Sequence, residues 1–135
     1  MTNSLITCGH ISLTIYGDKL NFDNITSILE LQPTKTIRKG DNIRNNNRFV
    51  AEKDLWIYEK KYNDLESLNI SLTDFLEEIE KIKNTDNKLE KRVRIYIQSE
   101  PAQIFFSLPQ VILKKISDLK LDMDISILSW GFAEN

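Results

Sequence analysis

The chain has 135 residues, with 18 Lys plus Arg against 20 Asp plus Glu, and only one cysteine and one histidine. That length fits one domain over residues 1–135 with a core of its own. A net charge of -2 excludes whole-protein attraction to nucleic acid or anionic membrane, while a lone Cys8 and a lone His10 exclude an intramolecular disulfide and a Cys/His zinc site.

The opening MTNSLITCGH has no basic n-region and no long apolar run, so no secretory leader is expected. Leu5-Ile6-Thr7-Cys8 superficially matches a lipoprotein cleavage box, but too little chain precedes it for the apolar segment such signals need. No stretch approaches the ~20 apolar residues of a membrane span. A soluble, cytoplasmic protein without cofactor is the expectation.

Ile11, Leu13 and Ile15 alternate with Ser12, Thr14 and Tyr16, the period of a half-buried strand that Gly17-Asp18 ends. Asp23 or Asn24 is placed to cap a short helix with Ile25, Ile28 and Leu29 on one face, and Pro33 forbids its continuation. A basic segment follows, LQPTKTIRKGDNIRNNNR, which reads as a loop carrying Lys35, Arg38, Lys39, Arg44 and Arg48 against the single acid Asp41.

KDLWIYEKK then predicts a strand with Leu55 and Ile57 on one face and Trp56 and Tyr58 on the other, both faces apolar. Ser71 as N-cap, Asp74 in the first turn and the spacing of Leu72, Phe75, Leu76, Ile79 and Ile82 predict an amphipathic helix. RVRIYIQS places Val93, Ile95 and Ile97 opposite Arg94, Tyr96 and Gln98. QIFFSL places Ile104, Phe106 and Leu108 opposite Phe105, so the two read as a hairpin around Glu100-Pro101. Pro109 opens a third helix with Ile112, Ile116 and Leu119 on one side, and MDISILSW closes as a strand.

The predicted fold is α+β: a ferredoxin-like βαββαβ module with an extra N-terminal strand and short helix, a mostly antiparallel sheet, and helices on one face. At this point the chain resembles a known group, the mainly bacterial domain of unknown function 4279 family. The resemblance rests on FDNITSILELQPTKTIRKGD, on Trp56 in the next strand, on LTDFLEEIEKI and on FSLPQVILKKISDLKLDMDISI. It implies a compact α+β domain and brings no established catalytic residue or ligand.

Candidate sites are few. The basic loop offers cations, the hydroxyls of Thr34 and Thr36 and an approachable Gly40, but lacks the Gly-x-x-x-x-Gly-Lys-Ser/Thr spacing of a phosphate loop. An RNA-binding sheet would need cations and glycines that AQIFFSL lacks, so nucleic acid is not expected. His10 has no second titratable motif beside it, and Cys8 shares its strand face at nearly 7 Å. Asp122 and Asp124 make only a fraction of a hard-cation shell, so neither catalysis nor a metal is expected.

If the aliphatic sets face the helices, Trp56, Tyr58, Tyr96, Phe105, Leu128 and Trp130 emerge together on the sheet's other side. A surface of that kind marks a partner or needs a cover, and the loop's Lys and Arg stems are one candidate cover through cation–π contact. The expected function is therefore protein binding without catalysis. Its site is Trp56, Tyr58, Tyr96, Phe105 and Trp130 beside Lys35, Arg38, Lys39, Arg44 and Arg48, serving a homodimeric adaptor or an immunity-like complex with an acidic partner. The rival is a small-ligand or phosphate site, or an enzyme, built on the basic loop 33–48.

Overall fold

A computed structural model describes residues 7–43, 50–100 and 104–129. Along the chain run β1 (Thr7–Gly17), α1 (Phe22–Leu29), β2 (Lys35–Ile37), β3 (Asp54–Tyr62), α2 (Leu68–Glu78), β4 (Glu90–Ser99), α3 (Gln110–Asp118) and β5 (Asp122–Ser129). The strands form one five-stranded sheet in the order β2-β3-β1-β4-β5. β1 is the centre and runs antiparallel to both β3 and β4, whereas β4 and β5 are parallel. The protein is thus a mixed α+β domain, with three α-helices among the described residues.

β1 dictates the two faces of the sheet. Ile11, Leu13 and Ile15 are all but inaccessible to water, and cross-strand partners share a face, so Leu13 opposite Tyr58 and Ile15 opposite Trp56 bring both rings inward. Leu13 opposite Val93 and Ile11 opposite Ile95 do the same for β4. The helices dock on this inner face: the Trp56 indole donates to Thr26 Oγ1 of α1 at 3.1 Å, and Tyr58 stacks on Phe75 of α2 with centroids 5.7 Å apart. Ile112 and Ile116 of α3 complete the same cluster.

This reverses the facing expected for Trp56 and Tyr58. Leu55 and Ile57 lie on the outer face, half-buried, and the two aromatic rings are core. Both sides of KDLWIYEKK are apolar, so alternation alone left the phase open, and the larger side chains took the better-enclosed side.

The ferredoxin-like order is also not what the chain adopts. Residues 104–109 form no strand, and β4 has its two edges taken by β1 and β5, which leaves no place for a hairpin partner. β3, α2 and β4 make a split βαβ unit with β1 between its strands, and α3 carries the chain from β4 to the adjacent parallel β5. Ile104, Phe106 and Leu108 still pack on the core while Phe105 stays 83% exposed. The alternation there records burial rather than strand pairing.

Helix boundaries moved for capping reasons. α1 is capped by Asn21, whose side chain accepts from the Asn24 N–H, instead of by Asp23 or Asn24. α2 begins at Leu68, continuing a 3₁₀ turn at Leu65–Ser67 in which Asp64 Oδ1 accepts from the Ser67 N–H at 2.7 Å, so Ser71 lies inside the helix. Pro109 precedes the first residue of α3. β2 arises inside the segment read as loop, anchored by the Thr34 N–H donating to the Ile57 carbonyl at 2.7 Å.

One glycine permits a close approach. A Cβ on Gly9 would stand 1.8 Å from the Tyr96 carbonyl oxygen and 3.0 Å from the Tyr62 hydroxyl. Tyr62 uses that space to donate to the same carbonyl at 2.9 Å. Burial, with Cys8 nearby, pushes its phenol up to about 12.

Trp56→Ala is therefore expected to act as a core deletion, lowering unfolding free energy by about 3–5 kcal/mol in urea titration. A Trp56 that served a partner surface would leave that midpoint nearly unchanged.

Candidate functional site

The basic segment closes on an acid that lies beyond it. Asp54, the first residue of β3, is 4% exposed. Its Oδ2 accepts from Arg38 Nη1 at 2.7 Å and from the Leu20 N–H at 2.9 Å, and its Oδ1 from the Lys39 N–H at 2.8 Å. Arg38 Nη1 also donates to the Leu20 carbonyl at 2.8 Å, and the guanidinium lies 3.9 Å over the Phe22 ring. One carboxylate so ties together the β1–α1 connection, the exit of β2 and the start of β3.

The chain reaches this arrangement through a turn at Arg38-Lys39-Gly40-Asp41. Gly40 has φ 95°, and Asp41 both donates its N–H to the Arg38 carbonyl and accepts from the Arg38 N–H, each at 3.0 Å. The Lys39 N–H is the chief cause holding the Asp54 carboxyl below its ordinary value, and Arg38 adds to it, against the opposing effect of burial. The depression around it, of about 570 Å³, is lined by Asp18, Lys19, Arg38, Lys39 and Asp54. Its two carboxylates offset much of the attraction its cations would exert on a phosphate.

The outer face of the sheet is polar over most of its area. His10 stacks on Tyr96 with centroids 4.9 Å apart and lies 3.6 Å from Glu59. Arg92 bridges Glu90 at 2.7 Å and Asp124 at 2.9 Å, and these carboxylates, Glu90 foremost, raise its pKa. At one end residues just after β2 pair with residues just before β3, the Gly40 N–H donating to the Ala51 carbonyl and the Ala51 N–H to the Asp41 carbonyl, each at 2.9 Å. A groove of about 510 Å³ there is lined by Tyr16, Leu55 and Glu90 of the sheet together with Ile43 and Val50.

The expected binding set therefore separates. Trp56 and Tyr58 are core, Tyr96 is half-buried on the outer face, and Phe105 is exposed on no strand. Lys35 is exposed at the β2 edge, Arg38 is tied to Asp54 and the Leu20 carbonyl while its side chain stays half exposed, and Lys39 contributes its backbone. Trp130, Arg44 and Arg48 lie outside the described residues. No contiguous aromatic face forms from the described members.

A surface that the aromatic reading overlooked lies at the opposite end of the sheet. No described strand pairs with the outer edge of β5. Its Ile125 and Ile127 sit opposite Ile95 and Ile97, hence on the inner face, yet are 45% and 50% exposed. α3 turns Lys115 toward Glu80 at the end of α2, 3.8 Å away, so its opposite flank, with Leu113 at 48% exposure, faces the β5 side. Leu128, 40% exposed, flanks the strand on the outer face. The one signal in the sequence was the uncharged run ISILS at the end of a strand.

Residues 6–130 match a family described as Domain of unknown function (DUF4279). The chain belongs to that family. No curated protein and no solved structure matches it. Family membership covers the whole sheet, from β1 to β5, and so includes both the Asp54 knot and the β5 edge.

Asp54→Asn is expected to lower Tm at neutral pH. A carboxylate depressed in the fold contributes stability that is present above its unfolded value near 3.8 and lost as pH falls through the lower folded value. The gap in Tm between parent and variant should therefore narrow as the pH is taken below 4, which differential scanning fluorimetry across pH would read.

Proposed function

We propose that this domain binds another polypeptide by accepting a strand on the outer edge of β5, with which no described strand pairs, and that it carries no catalytic chemistry of its own. The single observation behind this reading is the half-exposure of Ile125 and Ile127, two apolar side chains on the face of the sheet that carries the helices. Edge strands in monomeric proteins are usually blunted by Lys, Pro or a bulge. Residues 125–129, Ile-Ser-Ile-Leu-Ser, have none of these residue types, and their two isoleucines supply alternate side chains for pockets of an added strand.

Several titratable groups with shifted pKa values have structural roles that account for the shifts. Asp54 ties loops together, Tyr62 spans the Gly9 gap, and Arg92 links β4 to β5. Burial drives the Lys91 ammonium down on the inner face, where its stem packs opposite Ile15. The half-buried Cys8, the sole cysteine, suits a reducing compartment.

Panning a random octapeptide display library on the immobilised protein tests the reading. Alternating, β-branched peptides should be enriched on the parent and lost on Ile127→Lys, whose half-exposed position lets the variant keep the parent's circular dichroism. Enrichment that survives Ile127→Lys, or none at all on the parent, overturns it.

A further inference from the structure

We infer that one strand the β5 edge accepts is β5 of a second copy, in an antiparallel two-fold pair that joins the two sheets into one of ten strands. This rests on the edge-binding reading above and names a partner for it.

The sequence of β5 is self-complementary when reversed. In an antiparallel pair, facing residues share a sheet face, so the two-fold axis must fall between one residue and its own copy. With the axis at Ile125 or Ser126, the isoleucines meet one another or Met123 of the partner copy, and no aspartate meets an aspartate. Sliding the axis to Asp124 sets that carboxylate against its own copy, a repulsion that selects the uncharged end of the strand. A net charge of -2 per chain adds little further opposition.

The same axis stands perpendicular to the sheet, so both sets of helices lie on one side of the joined sheet. The flank of α3 that carries Leu113 then faces its own copy above the isoleucine pairs. Three apolar side chains per copy, Leu113, Ile125 and Ile127, lose water together, each with 45–50% of its surface available. One strand edge with this cluster falls short of the ~800 Å² per partner of a standard stable interface. The dimer accordingly belongs to the weak class, with Kd on the order of micromolar.

Sedimentation velocity of the full chain over about a hundred-fold range around that Kd should show a monomer–dimer shift. Ile127→Lys should remain monomeric while keeping the parent's far-ultraviolet circular dichroism. In a Cys8→Ser background, Ile125→Cys or Ser126→Cys should give a disulfide-linked dimer on mild oxidation, and Thr14→Cys, central on the outer face, should not. Monomer throughout the range overturns the inference, and if the edge still selects strand peptides, the broader strand-accepting role stands without it. A dimer that survives Ile127→Lys and forms no disulfide at 125 or 126 places the contact elsewhere and equally overturns it.

Discussion

The structure depends on the position of β1 between two strands that both run antiparallel to it. With Ile11, Leu13 and Ile15 committed to one face, the phase of β3 and β4 follows from register, and through β4 so does that of β5. A one-residue slip of β3 would replace Trp56 and Tyr58 by Leu55 and Ile57 under the helices. It would also remove the indole from Thr26 and the phenol ring from Phe75. The core thus specifies its own register, because only one phase supplies the inner face with rings that both stack and find a hydrogen-bond partner.

The sequence reveals those parts of the fold where periodicity and burial coincide. The 3, 1, 3, 3 spacing from Leu72 to Ile82 corresponds to an α-helix continued by a short 3₁₀ turn, and all five residues are buried. The strands of β1, β4 and β5 follow the alternation of Ile, Val and Leu. Where both faces of a strand are apolar, as in β3, composition has no preferred side and tertiary packing decides. QIFFSL illustrates a second limit: an extended segment that crosses over a core alternates in burial just as a strand does, without a ladder.

The candidate surfaces were less legible for a related reason. Asp54 opens a strand, a position where an acid ordinarily reads as a solvated turn residue, and its significance arises only when Leu20 and Arg38, far apart in sequence, arrive at one carboxylate. Ile125 and Ile127 look like ordinary core positions because they carry core residue types; only the strand order places them at an edge. The question posed by the basic segment has a largely internal answer for Arg38, whose guanidinium meets an acid, a carbonyl and the Phe22 ring within its own chain.

The closure made by Asp54 has a further bearing on how such a chain can vary. Arg38 and Lys39 at one side and Asp54 at the other fasten the base of the connection between β2 and β3, and the Gly40–Ala51 and Asn42–Val50 pairings fasten it again a few residues on. Because the base is clamped twice, residues 38–42 and 50–54 hold one another in place at the β2–β3 end of the sheet. Variation at Arg38, Gly40 or Asp54 therefore acts on the hold of β2, a three-residue edge strand, on the side of the sheet far from β5.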